Sequence, residues 1–319
     1  MENTGLLAPH YQDEEVARAH LEKTRWPNGP VCPHCGSINE SSKVNPKPGS
    51  RKPVRKGVWW CRSCKKQFTI TIGSIFEDSH IPLHKWLLAI HLILSSKKGI
   101  SAHQLMRNLE IGSYRSAWFM AHRIRWALTQ EPVREIFGGT VEMDETYIGG
   151  KLRVGPQADK PGEPPKDRLG PVSNKAAVVT VLQRGGSVRS FPVERVTAKN
   201  LKPIVKEMIA EDAHLMTDTS WVGKSISGKR KHSQVNHTAK EYVRLENGEK
   251  ISTNTVEGYF SILKRGNYGV YHHWSKKYMA QYLREFDWRY NARKLSDVER
   301  TVIALRMTEG KRQLLKPQE

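Results

Sequence analysis

Apolar residues first fall into register at Leu83, Trp86, Leu87, Ile90 and Leu94, a helical spacing, with Pro82 suited to the first turn. Ser101 and Gln104 form a capping-box pattern ahead of Leu105, Met106 and Leu109. After Gly112, Ser113 is placed to cap a third helix whose apolar stripe is Ala117, Ala121, Ile124 and Leu128. The last two helices, joined at Glu110-Ile111-Gly112, predict a helix-turn-helix-like domain over residues 79–130. Near residue 139 the period changes. Val141 to Ile148 predicts a strand, and Ala176 to Leu182 with Val188 to Val193 predicts a hairpin turned at Gly185-Gly186. A helix near 200–210, a short strand from His214 to Thr217, a helix from about Thr253 and a closing helix from Lys276 to Lys294 follow. This order predicts an α/β domain over 139–295, interrupted by a Pro/Gly/Lys-rich insertion at 149–173 and followed by a tail, 296–319. Residues 1–30 read as a lead-in with one helix, Glu14 to Lys23, ended by Pro27 and Gly29. No internal repeat is visible.

Composition narrows the partners. Within 319 residues, 52 Lys and Arg face 32 Asp and Glu, a net charge of +20. That excess exceeds what solubility requires and points to a polyanion, whose counterions are released as phosphates are neutralised. Hydrophobic residues make up 38% and include nine Trp, enough for a packed core, which excludes disorder along the whole length. No apolar run reaches the ~18 residues of a membrane span. The start of the chain, with Asp13, Glu14 and Glu15, lacks the basic-then-apolar order of a signal peptide. A cytoplasmic protein with no membrane partner is expected.

All four cysteines lie in two knuckles, Cys32-Pro-His-Cys35 and Cys61-Arg-Ser-Cys64. Each C-x-x-C turn presents two thiolates on one side, and two turns complete a zinc tetrahedron. The basic Ser/Pro/Gly/Lys loop Ser41 to Gly57 accounts for a spacing slightly above the usual ribbon value. Disulfides are disfavoured in a cytosolic protein, and a redox site would need one such motif, not two. The expectation is a zinc ribbon over 31–78 holding one structural Zn2+, with His34 at the surface. Beside it, the third helix offers Arg115, Trp118, His122 and Arg125 off its apolar stripe, side chains suited to a major groove.

Three acids stand out by context. Asp144 sits within a strand, Asp218 ends one, and Glu257 opens a helix with Lys264 two turns further along the same face. Carboxylates on two strands and a helix can converge at a sheet edge, and hard oxygen ligands suit Mg2+. Two such ions activate a water or 3′-hydroxyl and stabilise the leaving oxygen of a phosphodiester. Lys264, with Arg265 beside it, would hold a DNA phosphate. Glu142, on the same side of its strand, and Glu145, on the other, compete with Asp144 for the role.

The chain resembles insertion-sequence transposases of the bacterial DDE class, the group related to Merlin elements. The likeness runs nearly end to end: the two cysteine knuckles, with Lys65-Lys-Gln-Phe-Thr-Ile after the second; Gly73-Ser-Ile-Phe; Asp144-Glu-Thr-Tyr-Ile-Gly-Gly-Lys151; Thr217-Asp218; Asn254-Thr-Val-Glu257-Gly-Tyr-Phe-Ser-Ile-Leu-Lys264-Arg265-Gly; Tyr271-His-His; and Phe286-Asp-Trp-Arg-Tyr-Asn291. The resemblance implies an RNase H-like catalytic domain with Asp144, Asp218 and Glu257 as a triad for two Mg2+ (or Mn2+) ions, and Asn254 as a helper. It implies double-stranded DNA as partner, both terminal inverted repeats and target, a homodimer or larger assembly on DNA, and a nucleoid-associated place in a bacterial host.

Two other readings share these features. A domesticated DNA-binding regulator would keep the ribbon and helices but lose the acids, all of which stand here. A nuclease on the same core would cleave without strand transfer. A tyrosine recombinase would need Tyr271 with an Arg/His cluster, for which His272-His273 is an isolated hint.

Overall fold

The computed structural model describes residues 5–45, 56–129, 136–149, 175–219 and 225–310. The chain divides into two compact units, one of Met1–Gln130 with Lys294–Glu319, the other Glu131–Arg293. Most of the 149–173 insertion and the middle of the basic loop lie outside the described residues.

In the first unit, α1 (Glu14–Arg25) starts where Asp13 accepts the backbone N–H groups of Glu15 and Val16. Strands β1 (Ser41–Lys43), β2 (Val58–Cys61) and β3 (Gln67–Thr69) form an antiparallel sheet in that order. Trp26, at the end of α1, packs edge-on against Trp59 and Phe68 of this sheet. Helices α2 (Leu83–Ser95), α3 (Ala102–Asn108) and α4 (Tyr114–Ala127) follow, and Ser101 accepts the Gln104 N–H to cap α3.

In the second unit a five-stranded mixed sheet runs β6-β5-β4-β7-β8. Central β4 (Thr140–Ile148) pairs antiparallel with β5 (Ala176–Gln183) and parallel with β7 (His214–Asp218). Edges are β6 (Val188–Val193) and β8 (Lys231–Val235). Alternation along β4 and β5 separates two cores. Val141, Met143, Val179 and Val181 meet Leu201, Val205 and Met208 of α5 (Ala198–Met208). On the opposite face Ile148, Val178 and Leu182 meet α6 (Asn254–Gly266) and α7 (Met279–Asn291). A short hairpin, β9 (Arg244–Glu246) and β10 (Glu249–Ile251), precedes α6.

Several features depart from the sequence reading. The segment 296–319, read as a tail, contains α8 (Asp297–Arg306), which buries Thr301, Ala304 and Leu305 and packs on α2 and α1 within the first unit. Strand β8 falls in a stretch of Ser, Gly, Lys and His that carried no strand pattern, because an edge strand needs only one buried apolar residue, here Val235. No helix among the described residues is long and apolar enough to cross a membrane.

Candidate metal centres

The two cysteine turns are brought together by the small sheet. Cys61 ends β2, and Cys32 and Cys35 occupy a turn whose Cys32 N–H donates to Ser37 O. All four Sγ atoms lie within 4.8 Å of one another, with Cys32–Cys64 and Cys35–Cys61 each at 3.7 Å. A tetrahedron of Zn–S bonds near 2.3 Å has edges of about 3.8 Å, so the donor set fits zinc. The Ser37 hydroxyl lies 3.2 Å from the Cys35 sulfur and 3.3 Å from that of Cys61. With the Cys64 backbone N–H, it holds the Cys61 thiol down at about 5. His34 is exposed and its ring faces Gln67 O, away from the quartet.

In the second unit, a cleft of about 560 Å³ is lined by Asp144, Glu145, His237, Glu257, Lys264 and Arg265, among others. Three elements supply these groups. β4 and β7 run parallel with Glu142 opposite Met216. The ladder ends there; Asp144 and Asp218 each lie two residues beyond it on their own strands, and Asp218 is not among the residues that line the cleft. Even-numbered residues of β4 look toward α6, so Asp144 faces the helix that carries Glu257.

Glu142 has a different part. It is fully buried, and its carboxylate accepts the Thr255 and Val256 N–H groups, each at 2.9 Å, and the Thr255 hydroxyl. Arg184 completes its shell, with Nε at 2.9 Å. Glu142 therefore caps the first turn of α6, where the helix dipole favours an anion, and ties that turn to the strand that bears Asp144. The two-residue step from Glu142 to Asp144 and the short step from Val256 to Glu257 leave the latter pair at one cleft.

Electrostatics record the crowding. Burial, followed by the charges of Glu145, Asp218 and Glu257, raises the Asp144 carboxyl to about 7 against the lowering effect of the Glu145 N–H. Glu145 is raised as well, by burial and by Asp218. Acids raised in this way by burial and by like charge are where a divalent cation would bind most favourably. The three acids are not drawn into one tight ligand group; among the described residues only the cysteine quartet meets that condition. Asp218 instead accepts from the Thr219 N–H and hydroxyl, and Glu257 from the Thr253 hydroxyl, with His237 Nε2 at 3.2 Å from the same oxygen. Asn254, one turn before Glu257, is exposed and does not line the cleft.

The groove-reading residues need correction. His122 and Arg125 are each 1% exposed, because the later part of α4 is packed on nearly all sides, and neither can reach a base edge. Arg123 is buried too, spread over the Trp86 and Phe119 rings and donating to Glu77 O. Exposure on α4 is concentrated in its first turn, Tyr114, Arg115 and Ser116, where Tyr114 stacks on His103 of α3. Tyr271 is taken up by packing as well: its hydroxyl donates to Glu285 at 2.6 Å and its ring sits among Trp274, Tyr282 and Phe286. The Phe286–Asn291 motif locks α7 to the β6 edge. Asp287 accepts from Ser190 N, Ser190 Oγ and Tyr259 OH, while Asn291 pairs with both backbone groups of Val188.

Two family models match the chain. Residues 136–291 match the ISXO2-like transposase domain, and residues 12–67 match a transposase zinc-ribbon domain. A protein of the archaeon Halobacterium salinarum, described as an uncharacterized protein in transposable element ISH50, is 26% identical over 294 residues, covering 88% of this chain and 91% of its own. That relative does not bear on a bacterial host. A solved pre-cleavage Mos1 transpososome overlaps 70% of this chain and 79% of its own at 14% identity, but a TM-score of 0.20 carries no structural argument.

Proposed function

We propose that this chain is a transposase of the kind whose ISXO2-like domain and zinc ribbon it matches, and that it binds the ends of its own mobile element and cuts and joins them with two Mg2+ or Mn2+ ions held by Asp144, Asp218 and Glu257. The observation that carries the reading is the common cleft of Asp144 and Glu257 beside Lys264, with Asp218 near enough for its charge to act on Asp144. Asp144 is the shared acid in this reading: the charges of both Asp218 and Glu257 contribute to its raised value. A pair of ions suits acids spread over a cleft better than one ion would, because each carboxylate need reach only one of them. When bound, the ions would activate an attacking water or 3′-hydroxyl and stabilise the leaving oxygen.

This chain's own residues supply the remainder. Lys264 and Arg265, on the cleft wall, are positioned to engage a phosphate of the strand being cut. Glu142 and Arg184 hold α6 against β4, keeping Glu257 opposite Asp144. The sheet with helices on both faces is the frame expected of an RNase H-like core. In the other unit, the zinc ribbon, the basic loop and the exposed first turn of α4 supply the element-specific contacts, with Arg115 rather than His122 or Arg125 as the reader. Zinc is structural in this reading, with four thiolates and no open position.

The test is incubation of the full chain with labelled ends of its element and Mg2+. Cleavage at the element boundary and joining of the 3′-end to a target duplex are expected. End binding without either reaction would leave a regulator, and hydrolysis without joining would leave a nuclease.

A further inference from the structure

One side chain of the cleft belongs to none of the roles above. His237 follows β8, which runs parallel to β7 with Asp218 opposite Val235, so it emerges at the same end of the sheet as Asp218. Its Nε2 lies 3.0 Å from the Thr253 hydroxyl and 3.2 Å from Glu257 Oε1, and the Thr253 hydroxyl donates to the same oxygen at 3.2 Å. We propose that His237, with Thr253, is a positioning residue that orients the Glu257 carboxylate for a catalytic cation, a role that rests on the assignment of Glu257 as a metal ligand.

The surroundings are built to hold the ring. Asn236 Oδ1 accepts the Ala239 N–H and closes a single turn, His237–Ala239. Lys240 leaves that turn in the left-handed region at φ 58°, and the Glu241 N–H returns to Asn236 O. The Tyr242 ring packs 5.5 Å from the imidazole. Thr253 is fully buried at the start of α6. The acid it faces remains 41% exposed and His237 24%, so the ion pair adds little to stability and its value lies in direction. The imidazole bonds the Thr253 hydroxyl, which donates to Oε1, and lies 3.2 Å from that same oxygen, while among the described residues none donates to Oε2, the oxygen that would face a cation. A carboxylate pinned at one oxygen loses rotational freedom before the ion arrives, which is how outer hydrogen bonds raise metal affinity.

The experiment uses the full chain and reads metal binding apart from catalysis. Mn2+ is titrated against His237→Ala, His237→Gln, His237→Asn and Glu257→Gln, with bound ion followed by electron paramagnetic resonance. Metal-free binding to the element's ends is measured alongside, as is the Mn2+ concentration giving half-maximal cleavage. Gln can return an N–H near the Nε2 place, whereas Asn cannot reach it. His237→Ala and His237→Asn should weaken Mn2+ binding and raise the half-activating concentration on the order of 10- to 100-fold, with end binding unchanged. His237→Gln should recover most of that loss. If His237→Ala fails to fold, the contrast between Asn and Gln decides the matter. Wild-type Mn2+ affinity in both His237→Asn and His237→Ala, with Glu257→Gln impaired, would overturn the role of His237 alone. Wild-type metal binding and cleavage in Glu257→Gln would overturn the assignment of Glu257, and that of His237 with it.

Discussion

The cysteine quartet and the acidic cleft are both sets of metal-ligating side chains, yet they are assembled in opposite ways. The quartet comes from two turns that each place two sulfurs by local geometry, and one small sheet then brings the turns to 3.7 Å contacts. It is a closed set with a neutral hydroxyl, Ser37, behind it. The acids come from β4, the end of β7 and the first turn of α6, and nothing local relates them. Their arrangement depends on strand register and on the Glu142 carboxylate that fastens α6 to β4. They remain spread, with Asp144 raised to about 7 by burial and by its acidic neighbours. The cysteine site is thus written in short spacings, the acidic cleft in the packing of a whole domain.

The largest effect expected from this contrast is on the closed site. Chelating zinc, or Cys61→Ser, should unfold the ribbon, since structural zinc sites contribute about 10 kcal/mol or more. One equivalent of zinc per chain and loss of amide protection over β1–β3 on chelation are the measurements; a zinc-free chain with a protected ribbon would break the comparison. The acidic site should instead be vulnerable at its fastening. Glu142→Ala should destabilise the second unit by about 3 kcal/mol, because it removes the acceptor of two helix N–H groups and the counter-charge of Arg184, which keeps its bonds to Lys250 and Ser252, and chemical denaturation reads this directly. A near-neutral result would mean that α6 is held by its apolar face alone.

Smaller effects sharpen the division of labour within the first unit. Arg115→Ala should weaken end binding about tenfold and, if its partner is a phosphate, lower the salt slope by about 0.9. Arg125→Ala should lower stability with little specific effect on end affinity, since Arg125 is buried; binding isotherms set beside melting curves separate the two. Acid should loosen this unit mildly. His10 is lowered to about 4 by burial and by His20 and His91, and both of those are lowered chiefly by burial. These folded values lie below the ordinary 6.5, so the unfolded chain takes up protons first. Stability is full above about 6.5 and falls as pH drops toward about 4, which hydrogen exchange over α1 and α2 should show and His10→Gln should flatten.

Legibility in the sequence followed the same divide. The helices α2 to α4, the strand β4, the hairpin of β5 and β6 and the helix opening near Thr253 were all readable, because a one-sided apolar period is local information. Asn247-Gly248, at φ 51° and 79°, is the hairpin turn signal that marks β9 and β10. Ser296 and Glu299 form a capping box that marks α8 within the segment expected as a tail. His122 and Arg125 were misread for a physical reason: a helical wheel shows one apolar stripe, but α4 is covered on further sides by neighbours the wheel does not contain. Glu142 and Asp144 are indistinguishable by period, and only the position of the α6 N-terminus separates a cap from a cleft acid. His237 carried no signal at all, being one polar residue in a polar stretch until β8 delivers it to Glu257.

The central claim, that the spread acids form one catalytic metal site, is tested most directly by cleavage and binding assays run side by side on Asp144→Asn, Asp218→Asn and Glu257→Gln. Each change removes the charge that holds a divalent ion while nearly preserving shape. The account predicts that all three bind the element's ends about as well as the unaltered chain, yet lose end cleavage and joining in Mg2+ by at least about a thousandfold, on the scale seen when charge-stabilising groups are removed from an active site. Cleavage at the unaltered rate by any one of them would remove that acid from the site, and unaltered cleavage by all three would contradict the account.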